Sequence, residues 1–195
     1  MVQWKELSMN ARVALCLMYA EKMIPKIEAL INYHTKLEQY AQGKQQLDDI
    51  LNLAWNHLQD EDKVDWSEMY YLCNEGVGWT DDVKYNNSGY FDFIWMLDDS
   101  NDKEARILSV MMINCFYYAM YVFAKRQNDN IPSDMEGFDC EDIEENAFSS
   151  IDRAVNLFIN SDEINALEAR IFKLFPFNKE TPFGDYISRE TVGVL

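Results

Sequence analysis

The sequence predicts an all-α protein: a single domain over residues 1–195, built as a bundle of about seven to eight helices in stacked antiparallel pairs around a central apolar helix near residues 101–127. Three observations predict it. Residues 107–124, ILSVMMINCFYYAMYVFA, carry no charged side chain and lie between the polar flanks SNDKEAR and KRQNDN; a helix apolar on all sides belongs inside something larger. Elsewhere apolar residues recur every third and fourth position, with no strand-like alternation. A 195-residue chain that is 48% hydrophobic can bury one core and is short for two.

Taken in order, Ser8 is a candidate N-cap for a first helix bearing Val13, Leu17, Ala20 and Ile24 on one face. Pro25, which has no N–H to give the preceding turn, is expected to end or kink it. A second helix then runs from 25 to about 40, with Ile27, Leu30, Ile31 and His34 together. Gly43 separates it from a third over residues 44–59, whose stripe is Leu47, Ile50, Leu51, Ala54 and Leu58. Asp65 and Glu68 form a capping box for a fourth, which groups Trp66, Met69, Tyr70, Cys73 and Val77. Residues 76–89 are rich in turn formers and read as a loop, followed by a short helix with Tyr90, Phe93, Ile94 and Leu97.

Asn101 and Glu104 fit a capping box for the uncharged helix, and Lys125 and Arg126 complement its carbonyl end. Residues 129–145 then hold eight acids and no Lys or Arg, first as loop and then, with Asp139 as N-cap, as a seventh helix. That helix reaches about residue 160 through Ile143, Ala147, Ile151, Ala154, Val155 and Phe158. Ser161 caps an eighth, with Ile164, Leu167, Ile171, Leu174 and Phe175 inward. The tail, 176–195, is broken by Pro182, Gly184 and Gly193 but keeps Phe177, Phe183, Tyr186 and Ile187, so it is expected to lie irregularly across the bundle.

Charge narrows the function classes. With 34 acids against 17 Lys and Arg, the formal net charge is −17. Such a field repels nucleic acid and anionic membranes, and it speeds encounter with cationic partners by roughly ten- to a thousandfold. Solubility alone accounts for an acidic surface equally well. The uncharged run is near the minimum length for crossing a bilayer, but Asn114, Tyr117, Tyr118 and Tyr121 interrupt it, so it reads as a core helix. Cys16, Cys73, Cys115 and Cys140 are far apart and the opening MVQWKELSMN has no signal-peptide pattern; these features predict reduced thiols in a cytoplasmic protein.

Catalytic patterns are sparse. A helical di-iron site needs Glu-x-x-His, and Ile31 and Ala54 stand where the carboxylates ahead of His34 and His57 would be. Neither Cys-x-x-Cys, His-Glu-x-x-His nor a phosphate-binding glycine loop occurs. A Cys–His pair drawn from Cys16 or Cys73 with His34 or His57 stays open, because sequence cannot place them. Adjacent carboxylates are common (Asp48 with Asp49, Asp81 with Asp82, Asp98 with Asp99, Glu141 with Asp142, Glu144 with Glu145). On a helix such neighbours diverge by about 100° and read as solvated surface. No catalytic, cofactor or metal site is predicted.

What stands out is acid beside aromatic anchors, the pairing from which interfaces draw association rate and affinity. The first such set is Asp134, Glu136, Phe138, Asp139, Glu141 and Asp142; the second is Trp79, Asp81, Asp82 and Tyr85.

The opening WKELSMNARVALCLMYAEKMIPKIEAL, followed by LDDILNLAWNHL, resembles small all-helical immunity proteins of bacterial polymorphic-toxin and contact-dependent inhibition systems. In that pattern Trp-x-x-Leu leads into an Ala-rich helix closed by Ala-Glu-basic-x-apolar-Pro, and a later helix carries Leu-Asp and, after six residues, Trp. The matching positions are Trp4, Leu7, Ala20, Glu21, Lys22, Pro25, Leu47, Asp48 and Trp55, all within about the first 60 residues. The resemblance implies a non-enzymatic antidote that binds a cognate toxin domain, commonly a basic nuclease. A helical adaptor for another basic protein is the alternative, and a small-molecule enzyme is third. The resemblance assigns no contact residue, and the oligomeric state is not encoded in any of these features.

Overall fold

A computed structural model describes residues 4–34, 37–60, 69, 101–127 and 140–193. Among them the regular structure is helical, with no strand: a 3-10 turn, Trp4–Glu6, and six α-helices. These are α1 (Met9–His34), α2 (Leu37–Gln59), α3 (Lys103–Gln127), α4 (Cys140–Phe158), α5 (Ser161–Leu174) and α6 (Arg189–Val192).

Ser8 caps α1 as its sequence position predicts: its hydroxyl accepts the Ala11 N–H at 3.3 Å. The helix does not stop at Pro25 but continues to His34. Pro25 is exposed, so the Glu21 carbonyl that loses its helical donor lies on the side where water can serve it. Gly43 likewise sits inside α2, and the break falls between His34 and Leu37. One glycine costs a helix about 1 kcal/mol, less than burying the apolar stripe secures. Leu47, Ile50, Leu51, Ala54 and Leu58 are all buried, each worth about 1.5–3 kcal/mol when large.

Helix α3 is capped one residue later than expected. Asp102, not Asn101, accepts the N–H groups of Glu104 (2.9 Å) and Ala105 (3.3 Å), and its carboxylate adds a charge favourable to the helix dipole. Fifteen of its residues are buried. By length and composition it could cross a membrane, yet 78% of its most apolar window is buried within the protein. It packs against α1, α4 and α2. Every residue from 10 to 20 of α1 is also buried, so these two helices share the interior, where the sequence displayed only one apolar stripe on α1.

Helix α4 buries Ile143, Ala147, Phe148, Ile151, Ala154 and Val155. Asn160, rather than Ser161, caps α5 by accepting the Asp162 N–H at 3.1 Å. Leu174, expected inward, is 45% exposed at the last residue of α5, while Ile171 one turn earlier is buried. Gly193 closes α6 at φ 72°.

The tail completes α1. The first N–H groups of a helix have no partner within it; here those of Ser8, Met9 and Asn10 are met by the carbonyls of Phe175 (3.4 Å), Pro182 (3.0 Å) and Phe183 (3.0 Å). The Phe177 N–H returns a bond to the Glu6 carbonyl at 2.7 Å, and Leu7 and Pro176 form an antiparallel bridge. Gly184 holds φ 73° against Ser8, where a Cβ would stand 2.5 Å from the Ser8 hydroxyl. The end of α2 is closed by the same segment, since Ile187 donates to the Leu58 carbonyl at 3.1 Å. Arg126 serves that end too, donating to the His57 carbonyl at 2.7 Å, so it caps α2 where its own helix was expected to use it.

The expected fourth helix, the 76–89 loop, the short helix after it and the loop to Asp139 lie outside the described residues, apart from a buried Met69.

Candidate partner-binding surface

Of the first acidic set, Glu141 falls in the first turn of α4 and Asp142 follows it with an exposed side chain. Asp134, Glu136, Phe138 and Asp139 lie outside the described residues, as do Trp79, Asp81, Asp82 and Tyr85. Helical geometry then separates neighbours that look alike in sequence. Glu145 joins Asp142 on the exposed face, while Glu144 turns inward onto the stripe of Ala147, Phe148 and Ile151.

Glu144 meets Arg12 there in an ion pair whose side chains are 19% and 9% exposed. Arg12 also donates to the carbonyls of Leu7 (3.0 Å) and Lys5 (2.9 Å). Tyr118 donates to Glu144 at 3.1 Å. Burial raises the Tyr118 hydroxyl well above its ordinary pKa; the charge of Glu144 adds to that, and Arg12 opposes it. Trp4 stacks on Phe148 with ring centroids 4.5 Å apart, and Arg12 lies over the Trp4 ring. Paired acid and base, with their lone pairs and protons taken up, are what a buried charge requires. This cluster joins the start of α1 to α3 and α4.

A second network links positions that the resemblance singles out. Trp55 donates its indole N–H to Glu21 at 2.5 Å, and Arg189 pairs with Glu21 at 2.9 Å. Burial raises the Glu21 carboxyl above the usual range, against the pull of Trp55 and Arg189. Leu7, Ala20, Leu47 and Trp55 are buried, whereas Lys22 and Pro25 are exposed. Lys22 and Glu21 border a groove of about 600 Å³ between α1, α5 and α6, with Glu163, Leu167 and Arg170 opposite. Sequence missed this groove because its walls come from segments 140 or more positions apart.

Cys16 and Cys115 are buried free thiols. Burial, and then the neighbouring Cys115, raise the Cys16 pKa well above its ordinary value, which keeps it protonated and opposes nucleophilic use. His57 is buried edge-on to Phe123, centroids 5.5 Å apart. Cys73 lies outside the described residues, and the His34 side chain is not described. Among the described residues no group of three His, Cys, Asp or Glu side chains is placed to hold a metal ion.

Comparison with family models, with curated proteins and with solved structures finds no match.

Proposed function

We propose that the chain is an antidote: an immunity protein that binds a cognate toxin domain in the cytoplasm and blocks it, without catalysing a reaction and without a cofactor, nucleic acid or membrane as partner. The observation that carries this reading is the net charge of −17, concentrated in a run of eight acids over residues 129–145. Toxin nucleases need basic clefts to hold RNA or DNA, and an acidic protein can occupy or mask such a cleft. Asp142 and Glu145, exposed on α4, are available to that surface, while Glu144 is engaged with Arg12. The fuller architecture, about seven to eight helices around the 101–127 helix, belongs to the same proposal.

Reversing Asp134, Glu136, Asp139, Glu141 and Asp142 to lysine is expected to slow association with the toxin and to flatten its salt dependence. Unchanged affinity would remove this patch. The same field would serve a helical adaptor for another basic protein. A neighbouring gene for a large secreted protein with a variable C-terminal domain favours the antidote, and its absence favours the adaptor.

A further inference from the structure

Two buried thiols have no part in the antidote mechanism. Cys16 on α1 and Cys115 on α3 are free and fully buried, and the packing around Glu144 shows how they lie. Arg12 of α1 and Tyr118 of α3 both reach that carboxylate, the tyrosine at 3.1 Å. Cys16 follows Arg12 by one turn and Cys115 precedes Tyr118 by one turn, so each shares the face of its helix that turns toward Glu144. The two helices run antiparallel: Asn10, at the start of α1, accepts from Arg126, at the end of α3, at 3.4 Å. One turn forward along α1 therefore matches one turn back along α3. This brings Cys16 opposite Cys115, and their side chains share a hydrogen bond.

The spacing suits a covalent bond. Packed helices with axes about 8–10 Å apart and a Cα radius of about 2.3 Å bring facing Cα atoms to roughly 3.5–5.5 Å, which overlaps the usual disulfide span of about 4.4–6.8 Å. A bond here closes a loop of about 100 residues, long enough to restrict the unfolded chain strongly.

We propose that Cys16 and Cys115 form a redox latch: a small-molecule disulfide such as oxidised glutathione joins them in a bond that ties α1 to α3, and excess thiol reopens it. One cysteine thiolate attacks the glutathione disulfide, breaking its S–S bond and expelling one glutathione thiolate. The other cysteine thiolate then attacks the protein sulfur of the mixed disulfide and expels the second. The two cysteine sulfurs are oxidised, the glutathione disulfide is reduced, and the two cysteine protons end on two glutathione thiols. In the closed fold burial keeps Cys16 protonated. Exchange therefore proceeds while the α1–α3 interface is open, during folding or a transient opening, and the closed core then shields the bond. The latch does not depend on the antidote reading.

The test is refolding of the full chain from urea in a glutathione redox buffer, beside a sample kept in urea, followed by acid quenching, trapping of free thiols and peptide mapping. The Cys16–Cys115 link, relative to free Cys16, is expected to be at least about tenfold more abundant after refolding than in urea. The refolded, oxidised chain should unfold at a higher temperature than the same chain treated with dithiothreitol, and Cys115→Ala should lose that difference. A link no more abundant after refolding than in urea, an oxidised chain that unfolds at the same or a lower temperature, or a difference that survives in Cys115→Ala would overturn the proposal.

Discussion

Arg12 stands where a charge is costly, one turn into a helix whose residues 10–20 are all buried. Its tolerance rests on Glu144, with the Leu7 and Lys5 carbonyls taking further protons. Removing one partner of a buried pair leaves the other uncompensated, at a cost of about 3–5 kcal/mol. Arg12→Ala is therefore expected to lower the unfolding free energy from denaturant titration by about that much, while Glu145→Gln on the exposed face should stay within about 0.5 kcal/mol. The distinction was legible in part, since Glu144 falls on the Ala147–Phe148–Ile151 stripe, but adjacency to Glu145 hid it. A pH experiment tests Glu21 and Glu168. Burial is the largest cause raising both carboxyls, against bonds from Trp55 and Tyr19. The folded state thus binds more protons than the unfolded chain once pH exceeds the ordinary Glu value of about 4.3. Stability must fall as pH rises through that window. Acidifying from pH 7 to about 5 should raise Tm, and Glu21→Gln should lessen the rise; a Tm that falls over the same interval would contradict this account.

At the scale of elements, periodicity located the buried stripes of α2 and α4, and the uncharged run located α3. It misplaced breaks wherever a local rule was outweighed by packing. Pro25 and Gly43 read as boundaries because each is unfavourable in a helix, yet α1 and α2 run past them, with Ile27 and Leu47 buried just beyond. A proline in a helix interior costs about 3 kcal/mol relative to alanine. Since Pro25 is exposed and inside α1, Pro25→Ala should stabilise the protein by about 1–3 kcal/mol; a lowered unfolding temperature would contradict this. The tail reads from sequence as an irregular segment across the bundle, but its pairing with the start of α1 does not, because that role lies in carbonyls of Phe175, Pro182 and Phe183 meeting N–H groups more than 160 positions away. Gly184→Ala should be costly for this reason. It places a Cβ 2.5 Å from the buried Ser8 hydroxyl at a positive φ, and thermal unfolding should show a loss of about 2 kcal/mol or more.

The whole molecule is defined by its charge. A net −17 makes folding compete with self-repulsion and makes association with a basic partner fast and salt-sensitive. Among the described residues Glu144 is paired with Arg12 and Glu21 with Arg189, while Asp142 and Glu145 are exposed. The contact residues were only partly legible because complementarity depends on a second molecule, whose shape this sequence does not encode. Co-expression with the C-terminal domain of a large secreted protein, if a neighbouring gene encodes one, tests the antidote reading most directly. The account predicts that this chain restores growth and co-purifies with the toxin in a complex that weakens as salt rises. Undiminished killing by a toxin of demonstrated activity, with no complex recovered, would contradict it.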